Sequence, residues 1–95
     1  MQIKVAIVDD DDGIRASLAM LIRRAAGFKL TGDYPDAETA LREIPLNIPS
    51  VVLMDINMPG AIKGPECVRQ LKLRLPEVQF LMLTVYEDSD SLFNS

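Results

Sequence analysis

Three carboxylates stand where apolar runs end: Asp9 and Asp10 follow one run, and Asp55 closes another. If the two runs are neighbouring parallel strands, their carboxyl ends meet at one edge of a sheet and the three side chains converge. At ~5 Å and an effective dielectric constant of about 20, each ionised pair would repel by roughly 3 kcal/mol. Such a cluster must take up a proton, bind a cation or be opposed by a basic side chain. No basic residue stands near these strand ends in the sequence.

The residue types in the chain restrict the cation to one that oxygen atoms bind. There is no histidine, which excludes His-ligated metals as well as Ser-His-Asp and Cys-His catalysis. Mg²⁺ suits an oxygen-only cluster, because it is held by one or two carboxylates together with phosphate oxygens and water. An EF-hand calcium loop needs Asp at its first position and Gly at its sixth. With Gly13 as the sixth residue the first is Val8, so that motif is absent.

Three further polar residues could join the cluster or serve the backbone instead. Thr84 follows the apolar run Val78–Leu83 at the same predicted edge. Its hydroxyl can donate to a phosphoryl oxygen there, and it can equally be an ordinary β-branched strand residue. Asp11 and Asp12 are expected to cap the helix that follows them rather than to join the cluster.

Three apolar runs and one more polar segment, residues 29–34, alternate with helical patterns, and the unit repeats roughly every 25 residues. The more polar segment is expected at a sheet edge. This alternation predicts a parallel sheet with helices on both faces and right-handed crossovers. The predicted strands cover residues 3–8, 29–34, 51–54 and 78–83, and the predicted helices cover 13–26, 36–44, 64–75 and 87–95. The same period places a fifth strand beyond residue 95, so residues 1–95 are expected to hold one incomplete domain.

Caps and breakers set the expected ends of the helices. Asp36 would cap the second helix and Pro45 would stop it. Gly27 would end the first helix in a left-handed turn. The first helix carries apolar residues at helical spacing, which predicts an inward-facing stripe of Leu18, Leu21, Ile22 and Ala25.

Charge and composition argue against several partners and compartments. A net charge of −4 disfavours direct contact with nucleic acid, because phosphate binding needs clustered Lys and Arg. No run approaches the eighteen or so apolar residues of a membrane span, and the apolar start of the chain is too short for a secretory signal. Cys67 is the single cysteine and cannot form an internal disulfide. We therefore expect a cytoplasmic protein without a membrane partner.

Three segments, in their order and spacing, resemble the receiver (phosphoacceptor) domain of two-component response regulators. They are Val8-Asp9-Asp10, the run Met54-Asp55-Ile56-Asn57-Met58-Pro59-Gly60, and Leu83-Thr84. The resemblance extends over the whole chain, and the joint occurrence of the acidic pair and the Asp-x-Asn-Met-Pro-Gly segment makes it specific.

The resemblance implies a flavodoxin-like (CheY-like) doubly wound α/β fold with strand order 2-1-3-4-5. It implies that Asp55 accepts a phosphoryl group from a sensor histidine kinase and that Thr84 supplies the switch hydroxyl. Mg²⁺ would be bound by Asp10, Asp55 and the backbone carbonyl of Asn57, with Asp9 helping through water. The output would be a separate domain, most often one that controls transcription.

The chain departs from the family pattern at its carboxyl end. The fifth strand, the lysine that follows it and contacts the phosphoryl group, and the last helix are not in this sequence. Val85 also stands where the family usually has a smaller residue. The missing strand would leave the fourth strand, Val78–Leu83, as an exposed apolar edge that invites a homodimer formed by strand or segment exchange.

Two other functions are compatible with parts of the sequence. The run Asp10-Asp11-Asp12-Gly13-Ile14 resembles the first motif of haloacid-dehalogenase-type phosphatases, with Asp10 as nucleophile and Asp12 as general acid. That function leaves the Asp55 segment unexplained. A second alternative is a receiver-like interaction module that is not phosphorylated and acts by strand or helix pairing.

Overall fold

The computed structural model describes residues 1–83, which form a parallel sheet flanked by helices. The strands are β1 (Ile3–Val8), β2 (Phe28–Tyr34), β3 (Val51–Asp55) and β4 (Gln79–Leu83). The helices are α1 (Asp12–Arg24), α2 (Ala37–Glu43) and α3 (Gly64–Arg74), and a 3-10 turn, Ile44–Leu46, follows α2. Thr84, Val85 and the helix predicted over residues 87–95 lie outside the described residues.

The strand order is β2-β1-β3-β4 and every pairing is parallel, which confirms the predicted flavodoxin-like arrangement for these strands. Val8 pairs with Met54, so β1 and β3 end side by side. Asp9, which follows β1, and Asp55, the last residue of β3, therefore lie at the same edge of the sheet. This register is what brings two distant parts of the sequence to one site.

One face of the sheet is covered by α2 and α3 and holds the main core. Its buried side chains come from both helices, from the two central strands, from the 3-10 turn and from the segments that precede α3 and β4: Ala6, Val8, Ala37, Ala40, Ile44, Val52, Met54, Met58, Cys67, Leu71 and Val78. Small residues on α2 let the helix lie close to the strands. Burial raises the pKa of the Cys67 thiol to about 11, so this residue is an unreactive part of the packing.

The opposite face is covered less completely. α1 packs on β1 and β2, with Ala19 as its buried residue. Leu21 is 65% exposed, so its predicted place on the inward stripe is wrong. The helix contacts the sheet through the side that carries Ala19, and Leu21 lies beyond that contact. Leu81 on β4 is 57% exposed, because β4 lies at the sheet edge and the described helices do not reach over it.

The predicted helix ends agree with the structure to within two residues. Asp11 caps α1 by accepting the Ile14 N–H at 2.9 Å, and Asp36 caps α2 by accepting the Thr39 N–H at 2.7 Å. α1 ends at Arg24, earlier than expected, and Gly27 adopts the predicted left-handed φ of 86° two residues after the cap residue Ala25. Among the described residues, no helix combines the length and the apolar character that a bilayer crossing requires.

Candidate functional site

The three aspartates that were predicted to converge do so at the carboxyl edge of the sheet. Asp9, Asp10 and Asp55 each offer a carboxylate oxygen, and these oxygens lie within 4.8 Å of one another. Asp9 is 1% exposed and Asp55 is 7% exposed, whereas Asp10 faces solvent. Asp9 and Asp55 are thus buried, and Asp10 lies on the solvent side of the cluster.

Burial sets the electrostatics of this cluster. Desolvation raises the pKa of Asp55, and the neighbouring carboxyl groups of Asp10 and Asp9 raise it further. Desolvation likewise raises the pKa of Asp9, with the charges of the adjacent aspartates adding to the effect. One backbone N–H opposes each shift: Asn57 donates to Asp55 Oδ1 at 3.0 Å, and Asp11 donates to Asp9 Oδ1 at 2.9 Å.

Asp9 carries an oxygen that the protein leaves without a partner. Its Oδ2 atom is buried and has no hydrogen bond within the described part of the chain. Leaving a buried carboxylate oxygen unpaired is costly, so this atom is suited to a cation or a water molecule as its partner. An all-oxygen donor set with one exposed member fits a hard cation that keeps several waters, such as Mg²⁺.

A cleft of about 620 Å³ opens beside the cluster. Asp10, Asn57, Met58, Pro59 and Lys63 are among the residues that line it. The loop that forms one wall turns at Gly60, whose φ of 105° is a conformation that other residues rarely adopt. The cleft therefore reaches the exposed side of the acidic cluster.

The first turn of α3 packs directly against the end of β3. A Cβ atom added to Gly64 would overlap the backbone carbonyl oxygen of Asp55 and come within 3.1 Å of the Ile56 Cα. Glycine is thus required here by close approach of two backbones. The contact fixes the position of the peptide that follows Asp55.

Two basic side chains, those of Arg15 and Lys63, lie close to the acidic cluster. The sequence analysis did not predict either of them there. Arg15 donates from Nη1 to the backbone carbonyl of Asp9 at 2.8 Å. Lys63 lines the cleft and donates from Nζ to the carbonyl of Met58 at 3.2 Å. Neither residue adjoins the strand ends in the sequence, and the fold brings both from further along the chain. For Arg15 the signal was its place one helical turn after the acidic run, and for Lys63 no local signal existed.

Two candidate residues are not brought into the cluster in the described residues. Asp12 is 88% exposed in its side chain and pairs with Arg15 at 2.6 Å, as expected for a residue in the first turn of a helix. Thr84, the predicted switch hydroxyl, lies outside the described residues. Asn57 lies two residues after Asp55 and lines the cleft with Asp10.

Comparison with known proteins agrees with this architecture. A family profile described as the response regulator receiver domain matches residues 5–94. The transcriptional regulatory protein DegU of Brevibacillus brevis is 33% identical over 87 residues, which are 92% of this chain and 36% of that protein. The response regulator UvrY of Escherichia coli K12 is 34% identical over 87 residues, which are 92% of this chain and 39% of that protein. The chain thus spans well under half the length of these two relatives.

The fold is also found in solved structures. The crystal structure of a LuxR-family two-component response regulator from Aurantimonas sp. SI85-9A1 has a TM-score of 0.82 at 26% identity. That match covers 98% of this chain and 66% of the other. Because the family profile covers nearly the whole sequence, the chain belongs to the response regulator receiver domain family, whose members are signalling domains rather than classical enzymes.

Proposed function

We propose that Asp55 accepts a phosphoryl group from the phosphohistidine of a sensor histidine kinase. The observation that carries this proposal is the convergence of Asp9, Asp10 and Asp55 within 4.8 Å, with a buried oxygen of Asp9 left unpartnered. Two buried acids and one exposed acid beside an open cleft suit transfer of a charged group from a second protein. The family membership of the chain supports the same role.

The transfer requires one bond to form and one to break. An oxygen of the Asp55 carboxylate attacks phosphorus, the phosphorus–nitrogen bond of phosphohistidine breaks, and the imidazole nitrogen of the kinase takes up a proton. The Asn57 N–H holds Asp55 Oδ1 at 3.0 Å, which orients the carboxylate and leaves Oδ2 as the attacking atom. Later attack by water on the acyl phosphate releases inorganic phosphate and restores the carboxylate.

The residues present fit a resident Mg²⁺. Asp10, Asp55 and the backbone carbonyl of Asn57 would hold the ion, with Asp9 acting through water. When bound, it would neutralise negative charge that gathers between the acceptor and the phosphoryl group. The chain itself contributes the burial of Asp9 and Asp55, which keeps the donor oxygens together at the cost of mutual repulsion.

The remaining parts of the signalling cycle are proposed on the same basis. The Thr84 hydroxyl would bond the phosphorylated acceptor and draw its loop toward it. The change would act on an output that controls transcription. The relative DegU, which is named a transcriptional regulatory protein, supports this output. The cytoplasm is the expected compartment, and the single cysteine, Cys67, is buried and suited to a reducing environment.

A homodimer formed at the β4 edge is part of the proposal. Within residues 1–83, β4 pairs with β3 alone, and Leu81 and Met82 are 57% and 37% exposed. A paired strand from a second copy would cover the free backbone groups and the exposed side chains together.

The phosphatase alternative has less support. Asp12, its general acid, is engaged by Arg15 and lies outside the group of three converging aspartates. A non-phosphorylated interaction module stays open as the contrasting outcome of the experiment.

The test is incubation of the protein with Mg²⁺ and acetyl phosphate, followed by intact mass measurement and light scattering. The matched variants are Asp55→Asn and Asp12→Asn. We expect a gain of one phosphoryl group that is lost in Asp55→Asn and kept in Asp12→Asn. Labelling retained in Asp55→Asn would favour the phosphatase, in which the phosphoryl group would lie on Asp10. No labelling in any sample would favour the interaction module, and a monomeric mass at high concentration would exclude the homodimer.

A further inference from the structure

Arg15 is tied to three separate parts of the molecule by one guanidinium group. Nη1 donates to the backbone carbonyl of Asp9 at 2.8 Å, Nη2 to Asp12 Oδ1 at 2.6 Å, and Nε to Asp33 Oδ1 at 3.2 Å. Its side chain is only 16% exposed, although Asp12 and Asp33 are 88% and 35% exposed. The planar fork of arginine allows these bonds in three directions at once, which lysine cannot reproduce.

These bonds hold the turn that carries two of the three clustered acids. Asp33 lies on β2, opposite Ile7 of β1, and Asp12 begins α1. The Asp9 carbonyl is therefore linked through Arg15 both to the neighbouring strand and to the following helix. The Asp9 N–H is held as well, since it donates to the Tyr34 carbonyl of β2 at 3.1 Å.

Both peptide groups that flank the Asp9 side chain are thus fixed to β2. The carbonyl of Asp9 belongs to the peptide that leads into Asp10, so its direction sets where the Asp10 carboxylate points. Asp10 is exposed. Among the described contacts, Arg15 is the side chain that constrains this peptide.

We infer that Arg15 is a positioning residue that orients the Asp9–Asp10 peptide for cation binding. The inference rests on the proposed function, because it concerns the same acidic cluster. Arg15 does not itself contact the clustered carboxylates in the hydrogen bonds of the described residues; it acts through the backbone and through Asp33. Outer residues that orient metal ligands in this way typically change metal affinity about 10- to 100-fold when they are removed.

The charge of Arg15 is expected to weaken Mg²⁺ binding, whereas its hydrogen bonds are expected to strengthen it. A guanidinium beside three carboxylates repels an incoming cation, so removing the charge alone should make Mg²⁺ bind more tightly. Removing the positioning bonds should make Mg²⁺ bind more weakly. The sign of the change therefore separates a positioning role from a simple electrostatic one.

The experiment is calorimetric titration of Mg²⁺ into the whole protein at neutral pH, with unfolding curves recorded on the same samples. Arg15→Ala is compared with Arg15→Lys, which keeps the charge and loses the fork, and with Asp33→Asn, which weakens the strand anchor. Arg69→Ala is the matched control, because Arg69 is also paired with a carboxylate, that of Glu66 at 2.8 Å, but lies on the exposed surface of α3.

We expect the Mg²⁺ dissociation constant to rise about tenfold in Arg15→Ala and at least as much in Arg15→Lys, which keeps the repelling charge and loses the fork. The constant should rise by a smaller factor in Asp33→Asn and stay unchanged in Arg69→Ala. Amide NMR shifts of Asp10 and Asp11 should move in the same three variants without metal. An unchanged or smaller dissociation constant in folded Arg15→Ala would overturn the inference. If Arg15→Ala does not fold, an unchanged Mg²⁺ dissociation constant in Arg15→Lys and Asp33→Asn would overturn the inference. Lack of Mg²⁺ binding by the unsubstituted protein would instead overturn the proposed cation site itself.

Discussion

Two loops deliver the clustered acids, and they are built on different principles. The loop between β1 and α1 is short, Asp9–Asp11, and polar bonds hold it: the Asp11 cap, the bond from the Asp11 N–H to Asp9, and Arg15. The loop between β3 and α3, residues 56–63, is longer and is anchored by the buried side chain of Met58, which is 1% exposed.

The difference indicates how each loop tolerates change. A short turn held by exposed or half-buried hydrogen bonds can lose one of them at a cost of about 1 kcal/mol, with its effect concentrated on the direction of the acids. A loop held by core packing and by close backbone approach transmits a change into the fold itself. Substitutions in the β3–α3 loop should therefore act first on stability, and those in the β1–α1 loop first on the cluster.

The largest effect is expected at Gly64. Gly64→Ala places a Cβ where the carbonyl oxygen of Asp55 lies, so α3 must move away from the end of β3. We expect a loss of about 3 kcal/mol or more in the free energy of unfolding, measured by urea denaturation.

Gly13→Ala is the matched control in the other loop region. An added Cβ there meets only the side-chain oxygen of Asp11 at 3.3 Å, and Gly13 lies in the first turn of α1. Alanine favours the helix, so the change in stability should stay within about 1 kcal/mol of zero. Equal losses in Gly64→Ala and Gly13→Ala would contradict the distinction between the loops.

The next largest effect is expected from the repulsion among the carboxylates of Asp9, Asp10 and Asp55. The raised pKa of Asp55, caused first by burial, means that the folded protein holds this proton to higher pH than the unfolded chain does. The stability of the metal-free protein should therefore fall as pH rises from the unfolded pKa through the raised folded value, and then level off. Asp55→Asn removes this penalty, and its Oδ1 can still accept the Asn57 N–H.

We expect Asp55→Asn to stabilise the metal-free protein at neutral pH by about 1 to 2 kcal/mol, less than one full pair repulsion because Asp10 is exposed. The advantage should vanish near pH 4, and Mg²⁺ should stabilise the unsubstituted protein more than the variant. Urea denaturation of both proteins at neutral pH and near pH 4, with and without Mg²⁺, measures these differences in the free energy of unfolding. A variant less stable than the unsubstituted protein at neutral pH would show that the cluster is not under charge repulsion.

Much of this arrangement could be predicted from the sequence because its signals are local. Asp11 and Asp36 precede helical patterns, and the apolar run before Asp55 ends where the strand ends. Leu21 was misplaced because a helical stripe fixes a face but not which part of that face meets the sheet. Arg15 was missed because its partner Asp33 is eighteen residues away and is brought near only by the pairing of β1 with β2.

The smallest effect compares two helix caps that make the same bond in different places. Asp11 accepts the Ile14 N–H at the cluster, and Asp36 accepts the Thr39 N–H at the start of α2. Replacing either by alanine should lower the free energy of unfolding by about 1 kcal/mol. Asp11→Ala should also raise the Mg²⁺ dissociation constant several-fold, because the Asp11 segment supports Asp9, whereas Asp36→Ala should leave it unchanged. Calorimetric titration gives the Mg²⁺ affinity of the two variants, and urea denaturation gives their stability. An equal loss of Mg²⁺ affinity in both variants would mean that general stability governs cation binding, and that the polar turn at Asp11 does not.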